Sequence, residues 1–99
     1  MSTTKLKKLP MAALEEAARV ATQIALSSYP ALPESLRVNL TLGTFWDGDS
    51  VVFELYLPQE RAADAIVLTE ARLNLYDGRV QAVHVFKDAF MAAVASASS

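Results

Sequence analysis

Two Asp-Gly pairs, Asp47-Gly48 and Asp77-Gly78, each stand between runs in which apolar and polar residues alternate. Asp-Gly is a favoured pair for a two-residue hairpin turn, because glycine takes positive φ without a Cβ clash. The rest of the chain must be compatible with two antiparallel hairpins. In the first, Leu36, Val38, Leu40 and Leu42 alternate with Arg37, Asn39 and Thr41. Val51, Phe53, Leu55 and Leu57 alternate with Val52, Glu54 and Tyr56. A turn centred on Asp47-Gly48 sets Trp46 opposite Asp49, Leu42 opposite Phe53, Leu40 opposite Leu55 and Val38 opposite Leu57. All the apolar partners then share one face, so turn chemistry and patterning agree.

The second hairpin runs from Ile66 to Tyr76 and from Arg79 to Phe86. The same turn sets Leu73 opposite Ala82 and Ala71 opposite His84. His84, the single histidine, then lies with Leu73, Leu75, Val80 and Phe86 on the covered face. A three-residue turn with a bulge at Gly78 turns it outward instead. The two-residue turn is the expectation, with His84 as a packed side chain. A general base needs an orienting partner and a metal needs further ligands, and no local spacing supplies either. Residues 66–73 also fit a helix continuing from 58–65. The strand is preferred because a turn and a second strand follow directly.

Ahead of the hairpins, Pro10 can open a helix that reaches Tyr29, since proline suits the first helical position. Leu14, Ala17, Ala21 and Ile24 mark its apolar side, with Ala13 and Val20 beside them. Pro30 and Pro33 end it. Residues 58–65 suggest a short helix. Asp88 is placed to cap a last one that carries Phe90, Met91 and Val94. The expected fold is α+β: a long N-terminal helix packed on a four-stranded antiparallel sheet of two hairpins, with short helices after strand 2 and at the C-terminus. Residues 1–8 read as a flexible tail, 9–95 as a single domain and 96–99 as a frayed end.

A length of 99 residues and 53% hydrophobic content suit one small folded domain. The chain has no cysteine, which excludes disulfides, thiol catalysis and cysteine zinc sites and fits a reducing, cytoplasmic setting. A net charge of −2 argues against general nucleic-acid binding. No apolar stretch is long enough to span a bilayer. No cofactor motif is present.

The sheet face away from the helix is expected to carry Arg37, Val52, Tyr56, Arg72, Tyr76, Arg79, Val83 and Val85, among Asn39, Thr41, Glu54, Glu70, Asn74 and Gln81. Tyrosine and arginine beside β-branched residues is the composition of a binding surface. Trp46 offers an additional anchor. The function this reading favours is a non-enzymatic protein-interaction module of the adaptor, chaperone or immunity type. It would act through that open face as a homodimer or on another protein. The alternative is a small-molecule-binding domain or small enzyme with a pocket between helix and sheet near His84.

Overall fold

The computed structural model describes residues 7–98. Most of the expected tail, residues 1–6, lies outside the described residues; Lys7 and Lys8 are exposed. Helix α1 spans Met11–Ala25 and ends in a single 3-10 turn, Leu26–Ser28. Pro10 occupies the position before the helix, where its carbonyl accepts the Ala13 and Leu14 N–H groups. A second, four-residue helix α2 covers Glu34–Arg37. Strands β1 (Thr41–Asp47), β2 (Ser50–Leu57), β3 (Ile66–Asn74) and β4 (Val80–Val85) follow, with a 3-10 turn at Ala62–Asp64 between β2 and β3. Helix α3, Lys87–Ser98, closes the chain. The strands form one antiparallel sheet in the order β1-β2-β3-β4, so β1 and β4 are its edges. This is the α+β architecture the two hairpins require.

The structure departs from expectation at the start of the first hairpin. Leu36 to Leu40 are not strand. Pro33 precedes α2, Glu34 lies in its first turn and Arg37 in its last. That charge order complements the helix dipole. Arg37 and Asn39 are therefore not on the sheet at all. The turn itself is shifted by one residue. Asp47 pairs with Ser50, leaving Gly48 and Asp49 as the central pair. Gly48 has φ 60°, and among the described residues no non-glycine residue has positive φ, which is the glycine-first pattern of a type II′ turn. Leu42 consequently meets Leu55 rather than Phe53, and Trp46 meets Val51. Partners move by two residues, so the faces are kept.

In the second hairpin the faces are exchanged. Asn74 Oδ1 accepts the N–H groups of Tyr76 (2.8 Å) and Asp77 (3.1 Å), and Asp77 Oδ1 accepts that of Arg79 (2.8 Å). The Gly78 N–H reaches the Asn74 carbonyl at 3.0 Å, and the Asn74 N–H reaches that of Arg79 at 2.9 Å. These bonds hold a longer loop than the expected two-residue turn. A register shift follows: Leu73 pairs with Val80, but Arg72 pairs with Ala82, so Gln81 is the extra residue of a bulge. Beyond it Glu70 pairs with His84 and Ala71 with Val83. The histidine expected inside is outside, and Val83 and Val85, expected outside, are inside.

Helix α1 packs over β3 and β4. Leu14 and Ala18 join Val51, Phe53, Ala71, Leu73 and Leu75 in one buried cluster, with Leu9, Met11, Tyr76 and Val83 against it. The buried line of α1 is Leu14, Ala18 and Thr22, while Ile24 is 69% exposed. The alanine-rich sequence sets the helix rotation only weakly. The i, i+4 line that combines Leu14 with small Ala18 permits the closest approach to the sheet. A second cluster of Leu57, Leu68, Phe90 and Ala93 packs α3 to the far end of the sheet, with Tyr29, Leu36, Leu40 and Val85 around it. Tyr29 meets Phe90 edge-on, with ring centroids 5.1 Å apart. Asp88 lies in the first turn of α3 rather than at its cap, and the helix continues to Ser98, past the expected boundary at 95.

The two turn glycines should respond differently to alanine. Both require positive φ, but a Cβ on Gly48 meets open space, whereas one on Gly78 comes within 2.9 Å of Leu9 Cδ1. Denaturant unfolding should show Gly48→Ala costing about 1 kcal/mol and Gly78→Ala about 2 kcal/mol or more. Equal losses would show that Leu9 does not hold that position.

Candidate docking surface

Because α1 lies over β3 and β4, the inner face of β1 is left without a helix, while Val51, Phe53 and Leu57 on that of β2 are buried. A cleft of about 310 Å³ runs between α1 and this side of the sheet. Leu42, Phe53, Leu55 and Thr69 form its floor; Ala12, Ala18, Thr22 and the charged residues Glu15, Glu16 and Arg19 form its helix wall. Leu42 is 45% exposed and Trp46, on the same face of β1, is 58% exposed. At the rim Arg19 donates to both Glu16 oxygens and to Gln23 Oε1 (3.0 Å). That contact holds the Glu16 carboxyl below the usual range and raises the Arg19 guanidinium. With Glu16 and Arg19 joined, Glu15 supplies the uncompensated charge of the rim.

The outer face is less available than the sequence suggests. Val52 points outward in the row Phe45, Val52, Arg72, Ala82, yet it is fully buried. Arg72 Nη1 reaches across β2 to Asp47 Oδ2 at 2.8 Å, so its stem covers the middle of the face. Ser50 Oγ donates to Gln81 Oε1 at 2.8 Å and closes the same end. Tyr56 lies on this face with its ring beside Gly43, where an added Cβ would come within 3.2 Å of Cε1.

The expected binding residues therefore scatter. Tyr56 and Arg72 are on the outer face, Arg72 already paired. Val52 is there but covered. Arg37 is on α2, and Arg79 is exposed at the hairpin turn. Tyr76 and Val83 pack against the first core cluster and Val85 against the second. The bulge at Gln81 displaces Val83 and Val85, and the loop held by Asn74 displaces Tyr76. Trp46 is exposed on β1 rather than in a turn. The floor residues Leu42, Phe53 and Leu55 were read from sequence only as core, because alternation gives the face but not the extent of the helix above it.

His84 is exposed, with its ring edge-on to Phe86 at 4.5 Å. It stands next to Glu70, which in turn faces Glu54 across β2 and β3. The pocket near the histidine anticipated between helix and sheet is absent, because His84 and α1 are on opposite sides. Burial and the neighbouring Glu70 push the Glu54 carboxyl up. Among the described residues no group of three or more His, Cys, Asp or Glu side chains is arranged to hold a metal ion. Among them no helix is long and apolar enough to cross a membrane. No protein-family model matches the chain, and no curated protein or solved structure matches it.

Two substitutions test this geometry. A carboxyl whose folded pKa is raised binds its proton more tightly when folded. Its contribution therefore falls as pH rises through the ordinary carboxylate range towards the raised value. Glu70→Gln should remove part of that loss, raising stability near neutral pH by about 0.5 kcal/mol and leaving acid stability nearly unchanged. A gain equal at every pH would contradict the coupling. His84→Gln should change stability by less than about 0.5 kcal/mol, as for an exposed site; a larger loss in thermal unfolding would mean that the histidine is packed.

Proposed function

We propose that this chain is a non-enzymatic protein-interaction module, of the adaptor, chaperone or immunity type, and that it docks its partner through the cleft between α1 and the open β1 side of the sheet. The observation that carries the reading is the open cleft of about 310 Å³ floored by Leu42, Phe53 and Leu55. Apolar side chains left against water are stabilised when a partner covers them, by about 25 cal/mol per Å² of apolar surface. The cleft's chemistry favours docking over catalysis. Its polar groups are the Thr22 and Thr69 hydroxyls, the joined Glu16–Arg19 pair and Glu15. Its fitting partner is an amphipathic segment with apolar anchors on one side and a basic flank to meet Glu15.

A second reading rests on the cleft's size, which is at the lower end for a small-molecule pocket. The two readings separate with a synthetic amphipathic helix of leucine and lysine, its leucine–glutamate counterpart, and a neutral apolar dye. The lysine peptide should bind with micromolar affinity and the glutamate peptide at least tenfold more weakly. Ala12→Trp, which fills the cleft from an exposed position, should abolish both. Equal binding of the two peptides, or binding indifferent to Ala12→Trp, overturns the docking reading. Dye uptake without peptide binding favours the small ligand.

A further inference from the structure

Strand β1 is an edge, and apart from Asp47 at its end it carries none of the usual devices that keep an edge from pairing. Thr41–Asp47 contains no lysine and no proline, and its pairing with β2 runs without a register shift. The opposite edge, β4, is bent by the bulge at Gln81. Strand β1 also exposes three large apolar side chains: Leu42 at 45%, Phe45 at 42% and Trp46 at 58%. Leu42 and Trp46 lie on the inner face, in line with Leu55 and Val51; Phe45 lies on the outer face, in line with Val52.

We infer that the partner of this edge is a second copy of the same edge, paired antiparallel about a two-fold axis at Thr44. An isologous contact perpendicular to the sheet keeps inner faces together, so residues of equal parity must meet. Centring on Thr44 is the register that uses all of β1. It sets Leu42 against Trp46 of the second copy, Thr44 against Thr44, and Phe45 against Gly43. Large residues meet apolar or small ones at every position. Phe45 of one copy comes opposite Gly43 of the other, where it meets the Tyr56 ring that covers that glycine. Aromatic rings beside a strand glycine stabilise such pairs. A shift of one pairing step sets Leu42 against Thr44 and leaves Trp46 beyond the strand. A shift the other way sets Trp46 against Thr44 and brings Gly43 to Asp47.

The charges agree with this register. Asp47 is the single ionisable residue of β1 and is held by Arg72 of its own chain. Pairing at Thr44 puts the two Asp47 carboxylates at opposite ends, about 20 Å apart at the usual rise per residue. That exceeds the screening length at physiological salt, about 8 Å. The dimer extends the cleft reading without depending on it. The two open β1 strands become the middle of one floor, joined across the two-fold axis, with an α1 helix along each side.

Sedimentation at micromolar concentration should give a dimer for the unaltered chain. Thr44→Lys and Thr44→Glu should each be monomeric, because the axis brings like charges face to face. An equimolar mixture should recover a one-to-one dimer, which loss of folding could not produce. A monomeric unaltered chain, or variants that remain dimeric alone, overturns the pairing. Peptide binding measured on the Thr44→Lys monomer keeps the cleft reading separate: binding there while the unaltered chain is also monomeric ends this inference alone, and an unaltered chain that dimerises while the monomer binds no peptide ends the other.

Discussion

One residue of slack in β4 determines what the rest of the molecule can do. Gln81 is left unpaired between Leu73–Val80 and Arg72–Ala82, and every residue beyond it changes face. Without that bulge β4 would present Ala82 and His84 to the helix. With it, Val83 reaches the α1 cluster and Val85 the α3 cluster. Val83 and Val85 are partly buried and each gain part of the about 1.5–3 kcal/mol of a fully buried valine, whereas a neutral histidine needs a hydrogen-bond partner to be buried at all. The exchange makes the β3–β4 half of the sheet the better seat for α1. The inner face of β1 is left open as a consequence, since a single long helix cannot span four strands.

The same residue explains which parts of the structure were legible in the sequence. Alternation in β2 and β3 identified the inner row of Val51, Phe53, Ala71 and Leu73 correctly. The first turn was misplaced by one residue, but that moves partners by two and leaves side chains on their faces. In the second hairpin the error was odd, and an odd slip turns a strand over. A signal for it was present in Asn74, three residues before Asp77. Its side chain captures two backbone N–H groups and favours a longer loop over a two-residue turn. Pro33-Glu34 and Arg37 likewise carried the signature of α2, which the apolar alternation through Leu36, Val38 and Leu40 concealed. The rotation of α1 was not legible, because alanine on several sides makes every orientation nearly equivalent until Leu14 meets the sheet.

The two faces of the sheet have thus been assigned opposite characters. Outside, the bond from Arg72 to Asp47 and that from Ser50 to Gln81 use polar groups within the chain and cover Val52. Inside, the α1 wall brings Glu15 and the Glu16–Arg19 pair to the edge of an apolar floor without closing over it. An antiparallel sheet ordinarily tolerates water on one face and buries the other. Here the inner face is buried along β2 and β3 and open on β1. That edge strand is also the one that lacks protection against pairing, so cleft and edge form a continuous apolar surface centred on Leu42 and Trp46.

Trp46 is the only tryptophan in the chain and stands on that surface, which makes its fluorescence a direct report. The account predicts water-exposed emission, readily quenched by acrylamide, at nanomolar concentration. The emission should move to the blue and lose quenching as concentration rises through the micromolar range, or when the leucine–lysine helix is added. Emission that stays water-exposed under both conditions, or that is already shielded in the dilute chain, would contradict the claim that the β1 edge of the sheet is an open docking surface.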